Sequence, residues 1–394
     1  MSEIERARLS RREFVSLTAL GAIGLTMPRI AGAKDAGQLL YVGTYTEKLP
    51  SKGIYLLRMS RTGALTNLGV AAETTNPSFV TMSPNGRFAY AVNEVEKIEG
   101  RSTGGVTAFG RIRSTNLLHT LRRETTGGAA PCYASTDQAG RYLFVANYTG
   151  GSFSVFPILS DGGVGAATSF VQHEGKGPDA ERQEGPHAHC IIADPANRFV
   201  LVADLGLDRV LVYPFDARTG ALTTTPAAAG VLAPGAGPRH LAFHPNGRVL
   251  YVTNELDSTI TAFRYEPSTG ALTPMQTIPA VSEPVSTRNA PADIHIHPSG
   301  QFLYMSNRGH NSIAAFAIDA TSAELRPLQL IPTGGDWPRN FAIDPTGRFL
   351  LVANQRSNDI HVFRIDQRTG RLTATSHGIA MTAPVCVRFL TPLT

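Results

Sequence analysis

In the stretch GPRHLAFHPNGRVLYVTNE, Gly237 to Glu255, an Arg-His pair stands at one end of two apolar runs and a carboxylate at the other. These residue types can process an activated ester. A carboxylate or imidazole can draw a proton from water, and a guanidinium can stabilise an oxyanion or grip an acidic group by bidentate contacts. Similar residues recur downstream and upstream: His187 and His189 in GPHAHC, Asp293, His295 and His297 in ADIHIHP, Arg308 in SNRG and Arg339 in WPRN. Each His pair alternates along a strand, so its members can share one face. Two such pairs are able to bind zinc, but a hydrogen-bonded channel lining suits them better, and no metal or other cofactor is expected. No G-x-S-x-G elbow surrounds any serine, which argues against a Ser-His-Asp hydrolase of the α/β type.

The elements that position these residues are legible as a repeat. SFVTMSPNGRFAYAVNE, CYASTDQAGRYLFVANY, HCIIADPANRFVLVADL, RHLAFHPNGRVLYVTNE, ADIHIHPSGQFLYMSNR and RNFAIDPTGRFLLVANQ align without a gap. Their turn residues Gly86, Gly140, Asn197, Gly247, Gly300 and Gly347 recur at roughly 50-residue spacing, with Asn in the one place where Gly is missing, as a left-handed turn position allows. A third alternating run follows each unit. In four cases a short fourth follows that: RTGALTNL, RTGALTTT, STGALTPM and RTGRLTAT. Four short antiparallel strands per repeat is the pattern of a β-propeller blade.

Six full copies are visible and a seventh is split. LLYVGTYT and KGIYLLRMSRTGALT supply second, third and fourth strands near the start, and APVCVRFL near the end supplies an inner strand without a partner. The expected fold is therefore an all-β, seven-bladed propeller spanning 38–391, with four-stranded antiparallel blades. The C-terminal strand completes the first blade and removes both open edges. A β-helix is the alternative, though its repeats are far shorter. Gly/Pro stretches such as APGAGPRH read as loops between blades, since no helix follows to receive a phosphate.

The gapless register allows the blades to be compared column by column. At the Arg239 position the copies read Ser78, Cys132, His189, Arg239, Ala292 and Arg339; one residue on, Phe79, Tyr133, Cys190, His240, Asp293 and Asn340; at the Glu255 position, Glu94, Tyr148, Leu205, Glu255, Arg308 and Gln355. In a propeller the first strand lines the channel and the second runs back beside it. The start of one and the end of the other then share a rim of the disc. Charged and imidazole residues concentrate in blades four to seven, which predicts an off-centre polar pocket.

Composition and the N-terminus constrain the setting. The formal net charge is +5, falling to about +3 without residues 1–33, and no block of like charge suggests nucleic acid. SRREFVS, an apolar run from Leu17 to Met27 and Ala31-Gly32-Ala33 resemble a twin-arginine export signal with an A-x-A cleavage site. The run is too short to span a bilayer, so no membrane anchor is expected after cleavage, and the mature chain is expected in the periplasm or outside the cell. Cys132, Cys190 and Cys386 have no metal-ligand spacing and read as buried free thiols, with one disulfide as the alternative.

YVGTYT with KGIY, GPHAHC, GAGPRHLAFHPNGRVLYVTNEL, ADIHIHPSGQFLYMSNRG and WPRNFAIDPTGRFLLVANQ resemble, in order from about Leu39 to Leu390, the lactonase family of seven-bladed propellers, of the 6-phosphogluconolactonase and carboxymuconate lactonising type. The resemblance implies a metal-independent lactone site on one face. It places the family's functional His, Arg, Glu and Arg on His189 (or His187), Arg239, Glu255 and Arg308. Beside these, His187, His240, Asn254, Asp293, His295 and Arg339 are expected to bind substrate. The expected activity is hydrolysis of a sugar lactone, with Glu255 or His189 as base and Glu255 slightly preferred. The expected partner is a small-molecule lactone, and the expected state a monomer. A phosphorylated sugar lactone is a cytoplasmic metabolite, at odds with the export signal. The alternatives are a cycloisomerase closing an unsaturated diacid and a propeller that binds without turnover.

Overall fold

The computed structural model describes residues 37–281 and 288–393; the expected export signal lies outside them. Seven antiparallel sheets succeed one another along the chain as blades. Blade 5 is representative: Pro238–Phe243 innermost, then Val249–Asn254, Thr259–Glu266 and Ala271–Pro279 at the outside. Its second strand, VLYVTN, is buried along its whole length because neighbouring blades cover both faces of the sheet, so its apolar run is continuous. The outermost strands alternate toward solvent instead, as in Leu372–Ala380. In blade 4 the expected fourth strand is broken: Ala221–Leu222 and Ala228–Val231 both pair with Arg209–Asp216, on either side of a segment containing Pro226.

Side chains at repeated positions join the blades. The second-strand tyrosines Tyr41, Tyr251 and Tyr304 donate their hydroxyls to the carbonyls of Asn116, Ala323 and Gly370 in the next blade's outer turn, at 2.6, 2.6 and 2.8 Å. In the inner turn, Asp137, Asp194 and Asp344 accept from backbone amides at the start of the following strand. Where histidine takes that position it bridges blades: His244 Nε2 meets Gly300 O at 3.0 Å and His297 Nε2 meets Gly347 O at 2.9 Å. The turn residues all have positive φ, 68° at Gly86 and 57° at Asn197, the conformation in which Asn is the usual substitute for Gly.

Ring closure follows the expectation. The sheet of blade 1 runs Pro384–Phe389, Gln38–Thr44, Gly53–Met59, Leu65–Glu73, so a C-terminal strand pairs with the first described one. Cys132, Cys190 and Cys386 are buried and unbridged.

One feature of the inner strands is absent from the alternation pattern. Their pairing with the second strand shifts register between Pro131 and Tyr133, Ala188 and Cys190, Pro238 and Leu241, Pro291 and Ile294, and Pro338 and Asn340. A bulge of this kind re-aims side chains. It falls on Cys132, His189, Arg239 with His240, Ala292 with Asp293, and Arg339, the very columns that carry the polar residues.

Candidate active site

In a regular strand, neighbouring side chains point to opposite faces. The blade 5 bulge instead lets Arg239 and His240 touch, with Nη1 of the former 3.2 Å from Nε2 of the latter. Arg239 is 2% exposed. It donates from Nη1 to Ala292 O at 2.7 Å, and its Nε lies 2.9 Å from Glu255 Oε2, close in charge but out of line for a hydrogen bond.

Glu255 is the hub of the rim. Its Oε2 also accepts from Arg308 Nη2 at 2.5 Å and its Oε1 from Arg182 Nη2 at 2.7 Å. Arg308 is anchored by donating from Nε to Ala290 O at 3.0 Å. Burial alone would raise the Glu255 pKa, but Arg308, Arg239 and Arg182 outweigh it and hold the carboxyl well below its usual range. It is a firmly ionised counter-charge and a poor proton acceptor. Across the channel, Arg339 Nη2 stands 3.7 Å from Glu94 Oε1 and its guanidinium lies over the Tyr45 ring; the Tyr45 hydroxyl donates to Glu94 at 2.9 Å. Among the described residues, four guanidiniums therefore share two carboxylates at the rim.

The histidines divide by environment. His187 stacks on Tyr148 with ring centroids 4.6 Å apart, and its Nδ1 donates to Tyr148 O. His189 stands edge-on to Tyr148 and His240. Burial first, then the charge on Arg239, hold His189 well below the usual imidazole range, which makes it neutral near pH 7.

Beneath the rim, Asp293 Oδ1 accepts from His240 Nδ1 at 2.8 Å, and its Oδ2 lies 3.0 Å from His295 Nε2 and 2.5 Å from Asn340 Nδ2. Burial would raise the Asp293 pKa, yet these partners keep it ionised. His295 faces a cavity of about 480 Å³ at the other mouth of the channel, which Phe79, Tyr133 and Arg388 also line.

Of the expected residues, His187, His189, Arg239, His240, Glu255, Arg308 and Arg339 come together around the rim network. Asn254 does not: its amide donates to Thr259 and Thr261 Oγ1 and ties the hairpin of its own blade. Asp293 and His295 sit a layer lower, with both Asp293 oxygens occupied. The paired arrangement of His295 and His297 is absent, because His297 is turned into the inner turn. Arg182 and Tyr45 were missed. Arg182 lies in the loop between blades 3 and 4, outside the register. Tyr45 occupies the Glu255 column of blade 1: its N donates to Ala383 O as Glu255 N does to Gly237 O.

The His240 environment has a consequence for stability. Burial and Arg239 outweigh Asp293 and lower its pKa to about 4, whereas an unfolded histidine titrates near 6.5. Between those values the unfolded state binds the extra proton, so stability falls as pH drops from about 6.5 to about 4. The full effect is about 3 kcal/mol. Thermal melts of His240→Gln should show a shallower decline over this window than wild type; an equal slope would remove His240 as its source.

Residues 39–389 match the family model described as lactonase, 7-bladed beta-propeller. The chain is 37% identical over 351 residues to a 6-phosphogluconolactonase of Bacillus subtilis, covering 89% of this chain and 97% of that one. It is 35% identical over 309 residues to a 6-phosphogluconolactonase of Formosa agariphila, covering 77% and 85%. Among solved structures, a periplasmic gluconolactonase of Pseudomonas aeruginosa superposes with a TM-score of 0.82 at 32% identity, covering 90% of this chain and 99% of that one.

Proposed function

The chain belongs to the lactonase family of seven-bladed β-propellers, and on that premise we propose that it hydrolyses a sugar lactone to the aldonic acid. The observation that carries this reading is the gathering of Arg239, Arg308 and Arg339 at the rim beside a neutral imidazole. Guanidiniums held close together away from water are costly, and a site that keeps them is suited to negative charge, whether the oxyanion formed at a lactone carbonyl or an acidic group of the substrate. Arg239 and Arg308 take the oxyanion. Glu255 holds the guanidiniums in place with both oxygens engaged by arginines, and His189 acts as base. It is unprotonated near pH 7, and the negative charge that develops on the neighbouring oxyanion offsets the arginine charge that otherwise opposes its protonation.

We further propose an unphosphorylated lactone, processed outside the cytoplasm by a monomer. The Arg11-Arg12 leader motif and the likeness to a periplasmic gluconolactonase support the location. The test follows acid release by the chain from Lys34 onward, with gluconolactone and its 6-phosphate at mildly acidic pH. Turnover above the buffer blank is expected for both, with the larger kcat/KM for gluconolactone. A preference for the 6-phosphate would reverse the substrate assignment, and rates equal to the blank for both would sink the sugar-lactonase reading.

A further inference from the structure

Between the rim and the Asp293 layer lies a small cavity of about 10 Å³ lined by Ser78, Cys132, His189, Arg239, His240 and Arg339, among others. Its volume suits a single water. Three side-chain atoms of the lining residues, Ser78 Oγ, His189 Nδ1 and Arg239 Nε, are buried and have no hydrogen-bond partner in the protein. Arg239 Nε has the Glu255 carboxylate 2.9 Å away, which leaves Ser78 Oγ and His189 Nδ1, on residues 3% and 5% exposed, with neither a hydrogen-bond nor an ion-pair partner. Buried polar atoms are nearly always satisfied, and two orphans on one water-sized space point to a shared occupant. Ser78 and His189 reach it from different blades.

We propose that this cavity is the seat of the attacking water, held between the Ser78 hydroxyl and His189 Nδ1. The proposal rests on the hydrolase reading and adds Ser78 to it as a catalytic residue. Ser78 Oγ–H donates to the water oxygen, and the water donates to Nδ1. As the oxygen attacks the lactone carbonyl carbon, its proton passes to Nδ1 and the carbonyl electron pair moves to the oxyanion beside the guanidiniums. Collapse of that intermediate breaks the bond from the acyl carbon to the ring oxygen. The departing oxygen takes the proton from His189, and the hydroxy acid is released with the imidazole neutral again.

Ser78 precedes Phe79, leading into the blade 2 inner strand Val80–Met82, and sits in the column of His189 and Arg239, so its hydroxyl is placed by the same position of the repeat. A purely structural serine and a water-holding one respond oppositely to size. Ser78→Gly removes the hydroxyl but leaves room for a second water in its place, whereas Ser78→Val fills the cavity. Gluconolactone hydrolysis by wild type and both variants, with thermal melts to verify folding, separates the two roles. The expected order of kcat is wild type, then Ser78→Gly within about tenfold, then Ser78→Val lower by about 100-fold or more, the scale of a lost catalytic proton-transfer geometry, with KM nearly constant. Folded Ser78→Val at wild-type kcat, or Ser78→Gly slower than Ser78→Val, would overturn the water seat alone. A wild type without hydrolytic turnover overturns the hydrolase reading and this proposal together. If Ser78→Val fails to fold, Ser78→Ala replaces it, and an Ala variant as fast as wild type overturns the proposal.

Discussion

Arg239→Ala lowers kcat for lactone hydrolysis by about 100- to 1000-fold, the range found when one oxyanion donor is removed from a preorganised site. The side chain is almost wholly buried, touches Glu255, His240 and Ala292 O, and borders the small cavity. A charge fixed in this way needs no reorganisation when the oxyanion forms. The fold is expected to survive, because Glu255 keeps Arg182 and Arg308 and the cluster loses one of its mutually repelling cations. The unpaired Ala292 carbonyl costs about 1 kcal/mol, a few degrees in Tm at most. Arg239→Lys does not restore the rate, since an ammonium is a point charge and cannot reproduce the planar fork. Steady-state kinetics on variants that melt cooperatively decide the matter; wild-type kcat in Arg239→Ala would take the residue out of the mechanism.

Glu255→Gln produces the largest loss of stability. The amide has nearly the shape of the carboxylate but no charge, so Arg182, Arg239 and Arg308 lose their shared counter-ion in a buried setting. Breaking a buried ion network by removing one partner costs about 3–5 kcal/mol. A clear drop in Tm is therefore expected, partly reversed by sulfate or phosphate, which binds the guanidiniums left without their counter-ion in the folded state and stabilises it by mass action. A general base would leave a different signature. Glu255→Gln would then melt like wild type, ignore added anions and lose only turnover. The sign of the acid dependence agrees with the counter-ion role. The Glu255 pKa is depressed on folding, so its contribution is complete above about pH 4.3 and fades as pH falls below that value.

The blades were legible because each leaves two local marks, a turn residue needing positive φ and flanking runs of period two. The rim was legible because an antiparallel pair must bring Arg239 and Glu255 to the same end. The bulges were not, since one extra residue at the strand start leaves the downstream alternation intact. They explain how Arg239 and His240, adjacent in sequence, both join one polar network. Asn254 illustrates a signal that was present. Asn93, Asn147, Asn307 and Asn354 hold the same column, and their amides also serve backbone or side chains near their own hairpins. A polar residue common to most blades maintains the blade, whereas one confined to a single blade is available to a site. The same rule covers His297, whose column holds Asp137, Asp194, His244 and Asp344. Arg182 left no comparable mark, because its loop has no counterpart in the repeat and only the folded chain brings it to Glu255.

Because Gln38–Thr44 pairs with Pro384–Phe389, the first blade can be finished only after about 340 further residues have left the ribosome. At 5–20 residues per second, its opening strand waits roughly 20 to 70 s for its partner. Throughout that interval one ladder of backbone donors and acceptors stands open, able to recruit strands from neighbouring nascent chains. Synthesis is thus the period of greatest vulnerability to aggregation, and a ribosome that stops before Pro384 releases a protein with six intact blades and no closed ring.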